Sequence, residues 1–277
     1  MGDNTAIEWA EATWNPIAGC SIVSPGCTNC YAMKTAHGLE RRFGSAKYAG
    51  LTKVVNGHPI WTGEIRLVEA ALRQPLRWRR PRRIFVNSMS DLFHESLPDG
   101  AIDRVIAVMA QAPQHRFLAL TKRAERMRRY VGGLPGRAIG QADGIPVTLQ
   151  APLANLWLGV SVEDQSRADE RIPLLRRTPA AVRFLSCEPL LGPVDLHDPR
   201  RAGIDWVIAG GESGPGARPM HADWARGLRD QCRAAGVPFF FKQWGAWAPD
   251  AASTGRRLGK KRAGRLLDGR TWDELPG

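Results

Sequence analysis

The sequence predicts an α/β protein, a full or partial parallel (βα) barrel of the TIM-like type with an N-terminal cysteine loop. Two observations predict this fold. Short apolar segments recur at intervals of roughly 30 residues, the length of a strand with its crossover helix. Polar or ionisable residues follow each segment directly. Because the carboxyl ends of the strands of such a barrel meet at one mouth, the second pattern predicts a functional site there.

Six segments are predicted to be buried parallel strands, because they are rich in branched and aromatic residues and end at polar, glycine or proline residues. They cover residues 83–87, 116–120, 156–160, 182–185, 205–209 and 237–241. Between the first two, apolar residues at helical spacing over 102–109 predict a helix with Asp99 as its N-cap. Between the last two, Trp224 and Cys232 share one helical stripe and Gly236 ends the helix. Cys232 is therefore predicted to be a core residue.

The chain of 277 residues is long enough for one large domain. We expect a barrel domain over residues 1–249, with a glycine- and proline-rich insertion loop at 132–155. Residues 250–277 form a basic C-terminal tail that either docks on the body or stays mobile. No apolar stretch approaches the roughly 18 residues of a membrane span, and the acidic N-terminus does not look like a signal peptide. A cytoplasmic location, in a bacterium or encoded by a phage, with no membrane partner is expected.

The charge balance is strongly basic. Lys and Arg number 39 against 27 Asp and Glu, a formal net charge of +12. Either a polyanionic partner such as nucleic acid or the codon usage of a GC-rich genome explains this excess. The densest segment, Arg77–Arg83, surrounds Trp78 and is either a phosphate contact with base stacking or a solvated basic turn. A second basic cluster, at residues 122–129, follows the next strand.

Three of the five cysteines, Cys20, Cys27 and Cys30, fall within eleven residues at C-x6-C-x2-C spacing. Thiolates bind zinc or iron–sulfur clusters, and an odd cysteine count argues against a disulfide framework. A [4Fe–4S] cluster on three cysteines keeps one iron open to an outside ligand. The alternatives are a structural zinc site completed by His37, and three thiols without metal.

Candidate catalytic groups come from the residues that follow the later strands. Glu188 and Glu212 would form an acid/base pair if both line the mouth, with Lys242 as a third candidate. Each glutamate would equally serve in a structural ion network with Lys242 or Lys122. The phosphate-loop, zinc-protease and serine-hydrolase motifs are missing from the sequence, which argues against those three classes.

The cysteine loop, followed by Tyr31 and by βα repeats, resembles the radical S-adenosylmethionine enzymes. Around Cys27-Thr-Asn-Cys30-Tyr31 it is most similar to the spore photoproduct lyase type. The whole chain also resembles the phage Gp37/Gp68 family, three-cysteine proteins of the DUF5131 type. The segments that carry this second resemblance are residues 7–16, 19–32, 186–190, 210–214, 242–245 and 264–269.

The radical-enzyme resemblance implies a [4Fe–4S] cluster on the three loop cysteines, bound S-adenosylmethionine, and an electron donor such as a flavodoxin or ferredoxin. It implies an enzyme, a lyase or a base-modifying one, and the basic charge points to a nucleic acid or nucleotide as its substrate. Five residues are expected, by position alone, to contact S-adenosylmethionine: Ser88, Ser90, Asp91, Ser161 and Glu163. The alternative is a non-enzymatic nucleic-acid-binding protein with a structural zinc site.

Overall fold

The computed structural model describes residues 5–136, 138–139, 147–149, 152–249 and 255–277. The strands in this part of the chain are β1 (Ala12–Trp14), β2 (Ile17–Ala18), β3 (Thr52–Val55), β4 (His58–Trp61), β5 (Arg66–Leu67), β6 (Arg83–Val86), β7 (Arg116–Thr121), β8 (Ala138–Ile139), β9 (Val147–Thr148), β10 (Leu156–Ser161), β11 (Val182–Cys187), β12 (Trp206–Gly210) and β13 (Phe239–Gln243). The helices are α1 (Tyr31–Phe43), α2 (Glu69–Leu72), α3 (Asp99–Gln111), α4 (Ala124–Gly132), α5 (Gln165–Arg176), α6 (Ala222–Ala235) and α7 (Lys260–Ala263).

Seven strands form the main sheet, in the order β1-β6-β7-β10-β11-β12-β13. The pairs β1–β6, β6–β7, β11–β12 and β12–β13 are parallel. All six predicted strands are confirmed, with ends that differ by at most two residues. Within the described residues β1 and β13 each have one strand neighbour and do not pair with each other. The fold is therefore α/β, and its main sheet is consistent with a partial barrel. Of the two predicted forms, full and partial, the partial barrel is the one that the strand order supports.

The chain divides into two compact units. The first comprises Met1–Val23, Cys30–Leu158 and Thr178–Ala181, and the second comprises Ser24–Asn29, Gly159–Arg177 and Val182–Gly277. Cys20 and Cys30 thus belong to the first unit and Cys27 to the second. None of the helices in the described part of the chain has the length and apolarity that a membrane crossing requires.

In the first unit α3 buries the predicted apolar face. Ile102, Val105 and Met109 are completely buried. Its N-cap is Pro98 rather than Asp99, which is the first helical residue. The Asp99 carboxylate pairs with Arg126 instead of capping, and it still lies where the helix dipole favours a negative charge. The predicted insertion at 132–155 lies partly outside the described residues, and within it β8 and β9 form an antiparallel pair.

In the second unit α6 packs on β12 and β13, and Cys232 is fully buried as predicted. Gly236 ends α6 in the left-handed conformation, with φ at 64°. The C-terminal segment docks on this unit, which decides between the two alternatives for residues 255–277. The amide of Phe241 donates to the carbonyl of Trp272 at 2.9 Å, and the indole of Trp206 donates to the carbonyl of Glu274 at 2.9 Å. Residues 250–254 of the predicted tail lie outside the described residues.

Candidate functional site

A buried polar cluster in the first unit surrounds Cys20, at the carboxyl ends of β6 and β7. Arg123 follows β7 and is 6% exposed. Its Nη1 donates to Asp91 Oδ2 at 3.0 Å and lies 3.8 Å from Cys20 Sγ, and its Nη2 donates to Ser21 Oγ at 2.7 Å. Its Nε donates to Glu95 at 2.7 Å. The guanidinium therefore joins the cysteine loop to the two strand ends.

Asp91, an expected S-adenosylmethionine contact, is already engaged on both oxygens. Besides Arg123, it accepts hydrogen bonds from the hydroxyl of Thr121 at 2.7 and 2.9 Å, from the amide of Lys122 at 3.1 Å and from the amide of Phe93 at 2.9 Å. This geometry makes Asp91 the residue that holds Arg123 in place. A direct contact of Asp91 with S-adenosylmethionine stays a prediction.

Ser88 and Ser90, the two other candidates after β6, bind this loop to Asn15, which follows β1, and to Ile17, which begins β2. The Ser88 hydroxyl donates to Asn15 Oδ1 at 3.1 Å, and the Ser90 hydroxyl donates to the carbonyl of Ile17 at 2.9 Å. Tyr31, at the start of α1, donates its phenol to the carbonyl of Ser88 at 2.6 Å. Ser88 therefore contacts the residue that follows Cys30.

The loop cysteines form no disulfide and are of intermediate exposure. Burial, next the charge of Asp91 and then Cys30 raise the pKa of the Cys20 thiol, and Arg123 lowers it; the resulting pKa is about 12. Cys30 is the N-cap residue of α1. In the described part of the chain no group of three or more His, Cys, Asp and Glu is arranged to hold a metal ion. His37, the alternative zinc ligand, has its Nδ1 3.1 Å from Thr52 Oγ1.

In the second unit the segment Ser24–Asn29, which carries Cys27, is anchored on Glu163. The Ser24 hydroxyl donates to Glu163 Oε1, and a Cβ at Gly26 would lie 2.4 Å from the same oxygen. Arg171 Nη1 donates to Glu163 Oε2 at 2.9 Å, and the two side chains are 2% and 0% exposed. Glu163 is thus one half of a buried ion pair beneath the cysteine segment, and its expected contact with S-adenosylmethionine stays a prediction. Ser161 accepts from Arg171 through its carbonyl at 2.8 Å.

Glu212 anchors the other end of that segment. Its Oε2 accepts from Asn29 Nδ2 at 3.1 Å and from Arg218 Nε at 2.9 Å, and Arg218 Nη2 donates to Oε1 at 2.7 Å. Arg218 also donates to the carbonyl of Pro25 at 2.9 Å. Burial by itself raises the pKa of Glu212, but the hydrogen bonds from Arg218 and Asn29 outweigh burial and hold the pKa below its usual value. Glu212 is thus a charged, fully engaged carboxylate.

Glu188 and Lys242 form the ion pair that the structural alternative predicts. Lys242 Nζ lies 3.1 Å from Glu188 Oε1, and the side chains are 19% and 13% exposed. Ser186 donates a long hydrogen bond to Glu188 at 3.5 Å. A Cβ at Gly210 would lie 2.6 Å from Glu188 Oε1, so the carboxylate rests directly on β12. Of the three candidate catalytic residues, Glu188 and Lys242 are brought together and Glu212 has a separate partner, Arg218.

Two glycine-containing segments of the second unit, residues 210–214 and 242–245, pack closely against each other through their backbones. A Cβ at Gly211 would lie 2.1 Å from the carbonyl oxygen of Trp244, and one at Gly245 would lie 2.2 Å from that of Glu212. Gly245 also has φ at +85°, which side-chain-bearing residues rarely adopt. This close approach fixes Glu212 relative to the end of β13.

The sequence does not identify the arginine partners of Glu163 and Glu212. Arg171 and Arg218 were not singled out, and Arg123 was only one member of a basic cluster. Arg218 lies six positions after Glu212 and Arg171 eight after Glu163. The signal in the sequence is an arginine that follows each candidate carboxylate within eight residues.

The sequence profile described as "Protein of unknown function (DUF5131)" matches residues 4–276. The chain belongs to the DUF5131 family. The DUF5131 resemblance is therefore confirmed, while the Gp37/Gp68 name stays a prediction. No curated protein matches the chain.

One solved structure, "Spore photoproduct lyase complexed with dinucleoside spore photoproduct", shows a weak resemblance to this DUF5131 chain. The TM-score is 0.38 and the sequence identity 12%, over 83% of this chain and 63% of that one. The chain therefore spans less than two thirds of the length of that relative. At this TM-score the resemblance does not establish a shared fold or activity.

Proposed function

We propose that this DUF5131 chain is an iron–sulfur enzyme of the radical S-adenosylmethionine type that acts on a nucleic acid or nucleotide. One observation carries the proposal: three half-buried thiols without disulfides lie within eleven residues, and buried charged groups support the chain around Cys20 and around Cys27. Arg123 and Asp91 hold the part around Cys20. Glu163 and Glu212 hold the part around Cys27. Rigid support of partly exposed thiols is what ligand positioning requires.

The donor chemistry of the loop fits an iron–sulfur cluster. Thiolate sulfur is the ligand of such clusters, and N–H groups directed at the sulfurs tune them. Arg123 places such an N–H 3.8 Å from Cys20 Sγ. In the described residues no three potential ligands are arranged around a metal position. The proposal of cluster binding therefore rests on the three thiols themselves and on the side chains that support them. When bound, a [4Fe–4S] cluster would supply the electron for reductive cleavage of S-adenosylmethionine.

The chain's own residues have separate roles in this proposal. Arg123 brings a positive charge to Cys20, whose thiol is otherwise held protonated by burial. Glu163 and Glu212 are positioning residues, because each accepts a hydrogen bond from the Ser24–Asn29 segment and pairs with an arginine. Glu188 and Lys242 are partly exposed and paired, so they are the groups that would hold or move a proton near the substrate.

The partners in this proposal follow from the same chemistry. The substrate is a nucleic acid or nucleotide, in keeping with the net charge of +12. Ser88, Ser90 and Ser161 are proposed to lie beside S-adenosylmethionine, and a flavodoxin or ferredoxin is the proposed electron donor. The competing function is nucleic-acid binding with a structural zinc site completed by His37. The Nδ1 atom of His37 lies 3.1 Å from Thr52 Oγ1, so Nε2 would be the ligating nitrogen.

The test is reductive cleavage of S-adenosylmethionine. Protein reconstituted with iron and sulfide under anaerobic conditions and reduced with dithionite should convert S-adenosylmethionine to methionine and 5′-deoxyadenosine, measured by liquid chromatography. Cys30→Ala should abolish the conversion, whereas Cys187→Ala, at a buried position outside the loop, should retain it. Equal conversion by the two variants, or none by iron-loaded wild-type protein, would overturn the proposed function.

A further inference from the structure

The docked C-terminal segment, residues 255–277, gives the second unit a strongly basic surface. It carries seven Arg and Lys against three Asp and Glu. Hydrogen bonds with the residue that follows β13 fix its course. The amide of Trp244 donates to the carbonyl of Gly264 at 3.1 Å, and the indole of Trp244 donates to that of Leu266 at 2.8 Å. Leu267 is completely buried. The basic side chains therefore start from fixed positions on this unit.

The three acidic residues of the segment each have a partner of their own. Asp268 accepts hydrogen bonds from two arginines of α6, from Arg226 at 2.9 Å and from Arg229. Its carboxylate thus compensates charge on the helix rather than on the segment. The other two carboxylates are engaged as well, Asp273 with the guanidinium of Arg265 and Glu274 with the amide of Phe239.

Four exposed cations of the segment make no ion pair with the described part of the chain: Arg257, Lys261, Arg262 and Arg270. Arg257 donates to the carbonyl of Gly214 at 2.6 Å, a bond that engages one N–H group but does not neutralise the charge. Lys261 and Arg262 are neighbours on α7. The segment therefore presents four positive charges that no carboxylate of the described residues compensates.

Arg270 is held in place by the ring of Trp272. Its guanidinium lies over that ring, 3.6 Å from the centroid, and the indole is 5% exposed and donates to the carbonyl of Leu267 at 3.1 Å. Arg270 also closes a tight turn, because the amide of Leu267 donates to its carbonyl at 2.9 Å. Stacking uses the face of a guanidinium and leaves its charge and its in-plane N–H groups for an oxyanion.

Arg233 extends the surface onto α6. It is exposed, and its guanidinium lies 5.8 Å from the centroid of the same Trp272 ring. Hydrogen bonds from Arg229 lower the pKa of Asp230, and the charge of Arg233 lowers it as well. Both oxygens of that carboxylate nevertheless accept from Arg229, at 2.8 and 3.1 Å. Arg233 and the four cations of the segment together form the C-terminal basic surface.

Several fixed positive charges on one surface match a ligand that carries negative charge at regular intervals. The phosphate backbone of a nucleic acid has this property, with one charge per nucleotide. Guanidinium groups, which supply four of the five cations, are suited to bidentate contacts with phosphate. We propose that the C-terminal basic surface binds the phosphate backbone of a nucleic acid. The inference rests on the proposed function for the class of substrate, and it assigns that substrate a place on residues that require neither iron nor S-adenosylmethionine.

The experiment uses the full chain without iron loading. Binding of a fluorescein-labelled twelve-nucleotide single strand, and of the duplex formed with its complement, is followed by anisotropy over a range of salt concentrations. The triple variant Lys261→Ala, Arg262→Ala and Arg270→Ala should weaken binding at low salt about tenfold or more. It should also flatten the log–log salt dependence by about two units on the single strand and about three on the duplex, since each phosphate contact contributes about 0.7 and 0.9.

A charge-matched control is the triple variant Arg176→Ala, Arg177→Ala and Arg201→Ala. It removes three positive charges from exposed positions of the same unit outside the C-terminal basic surface. Its salt dependence should stay within about half a unit of the wild-type value, because no phosphate contact is lost.

The double variant Lys261→Ala with Arg262→Ala guards against misfolding, because it leaves Arg270 on the ring of Trp272. It should give about two thirds of the change in slope. If the wild-type protein binds neither probe, or if the folded double and triple variants bind like the charge-matched control, the proposal is overturned. Cleavage of S-adenosylmethionine by iron-loaded protein is measured without nucleic acid, so that outcome would leave the test of the proposed function unaffected.

Discussion

Gly26 lies so close to the Glu163 carboxylate that a Cβ at position 26 would be 2.4 Å from Glu163 Oε1. Glu163 is itself fully buried and paired with Arg171. The turn that leads to Cys27 therefore packs directly on a buried ion pair. Only glycine at position 26 allows the backbone to lie this close to the Glu163 carboxylate. This relationship links the position of a candidate ligand to the stability of the second unit.

Gly26→Ala should destabilise the protein by about 1–3 kcal/mol, because neither the turn nor the buried carboxylate can yield without losing contacts. Urea denaturation followed by circular dichroism measures the change. Gly38→Ala is the matched control, since a Cβ there meets nothing within 4 Å and lies within α1. The control should be neutral or stabilising by up to about 1 kcal/mol. Equal changes in the two variants would contradict the steric account.

Glu163→Gln should cost about 3–5 kcal/mol, because it leaves the buried guanidinium of Arg171 without its counter-charge. The double variant Glu163→Gln with Arg171→Met should be less destabilised than the sum of the two single variants. Denaturation of all four proteins gives the coupling energy directly. Strictly additive losses would mean that the pair is not coupled as its 2.9 Å contact indicates.

Glu212→Gln should show a stability loss that depends on pH. The folded pKa of Glu212 is held below its usual value of 4.5, so its charged form stabilises the fold above that value. This contribution disappears as the pH falls through the lowered folded pKa. We expect a loss of about 1–3 kcal/mol at pH 7 that shrinks toward pH 3. Thermal melts across this range measure it.

Glu170→Gln is the control for Glu212→Gln, because it removes an exposed carboxylate of the same unit that pairs with Arg167 at 3.0 Å. Exposed pairs contribute about 0–1 kcal/mol, so its loss should be small. If Glu212→Gln behaved like this control at pH 7, the anchoring role of Glu212 would be wrong.

Trp78→Ala should lower stability by about 3–5 kcal/mol, because the indole is buried rather than presented for base stacking. Trp78 lies edge-on to His115 at 6.0 Å and beneath the guanidinium of Arg82. Phe43→Ala, at a ring that is 76% exposed, should change stability by less than about 0.5 kcal/mol. A Trp78→Ala protein of unchanged stability and weakened strand binding would restore the stacking hypothesis.

The strands were predictable because their apolar pattern is local, and six of the seven strands of the main sheet follow from it. β1 was not predicted, because its three residues are too few to show a periodic pattern. The roles of Glu163 and Glu212 could not be read from sequence, since each depends on an arginine that the fold brings to it. Glu188 was different: its pairing with Lys242 was one of two stated alternatives, because both come at the carboxyl ends of predicted strands of one sheet.

The iron and sulfide content of the anaerobically reconstituted protein tests the central claim most directly. We predict about four irons and four sulfides per chain, with broad absorbance near ~400 nm, as for a thiolate-bound [4Fe–4S] cluster. Cys27→Ala should lose the cluster, whereas Cys232→Ala, at a fully buried core position, should keep it. Stoichiometric zinc without iron or sulfide in the wild-type protein, or equal iron loss in the two variants, would contradict the account.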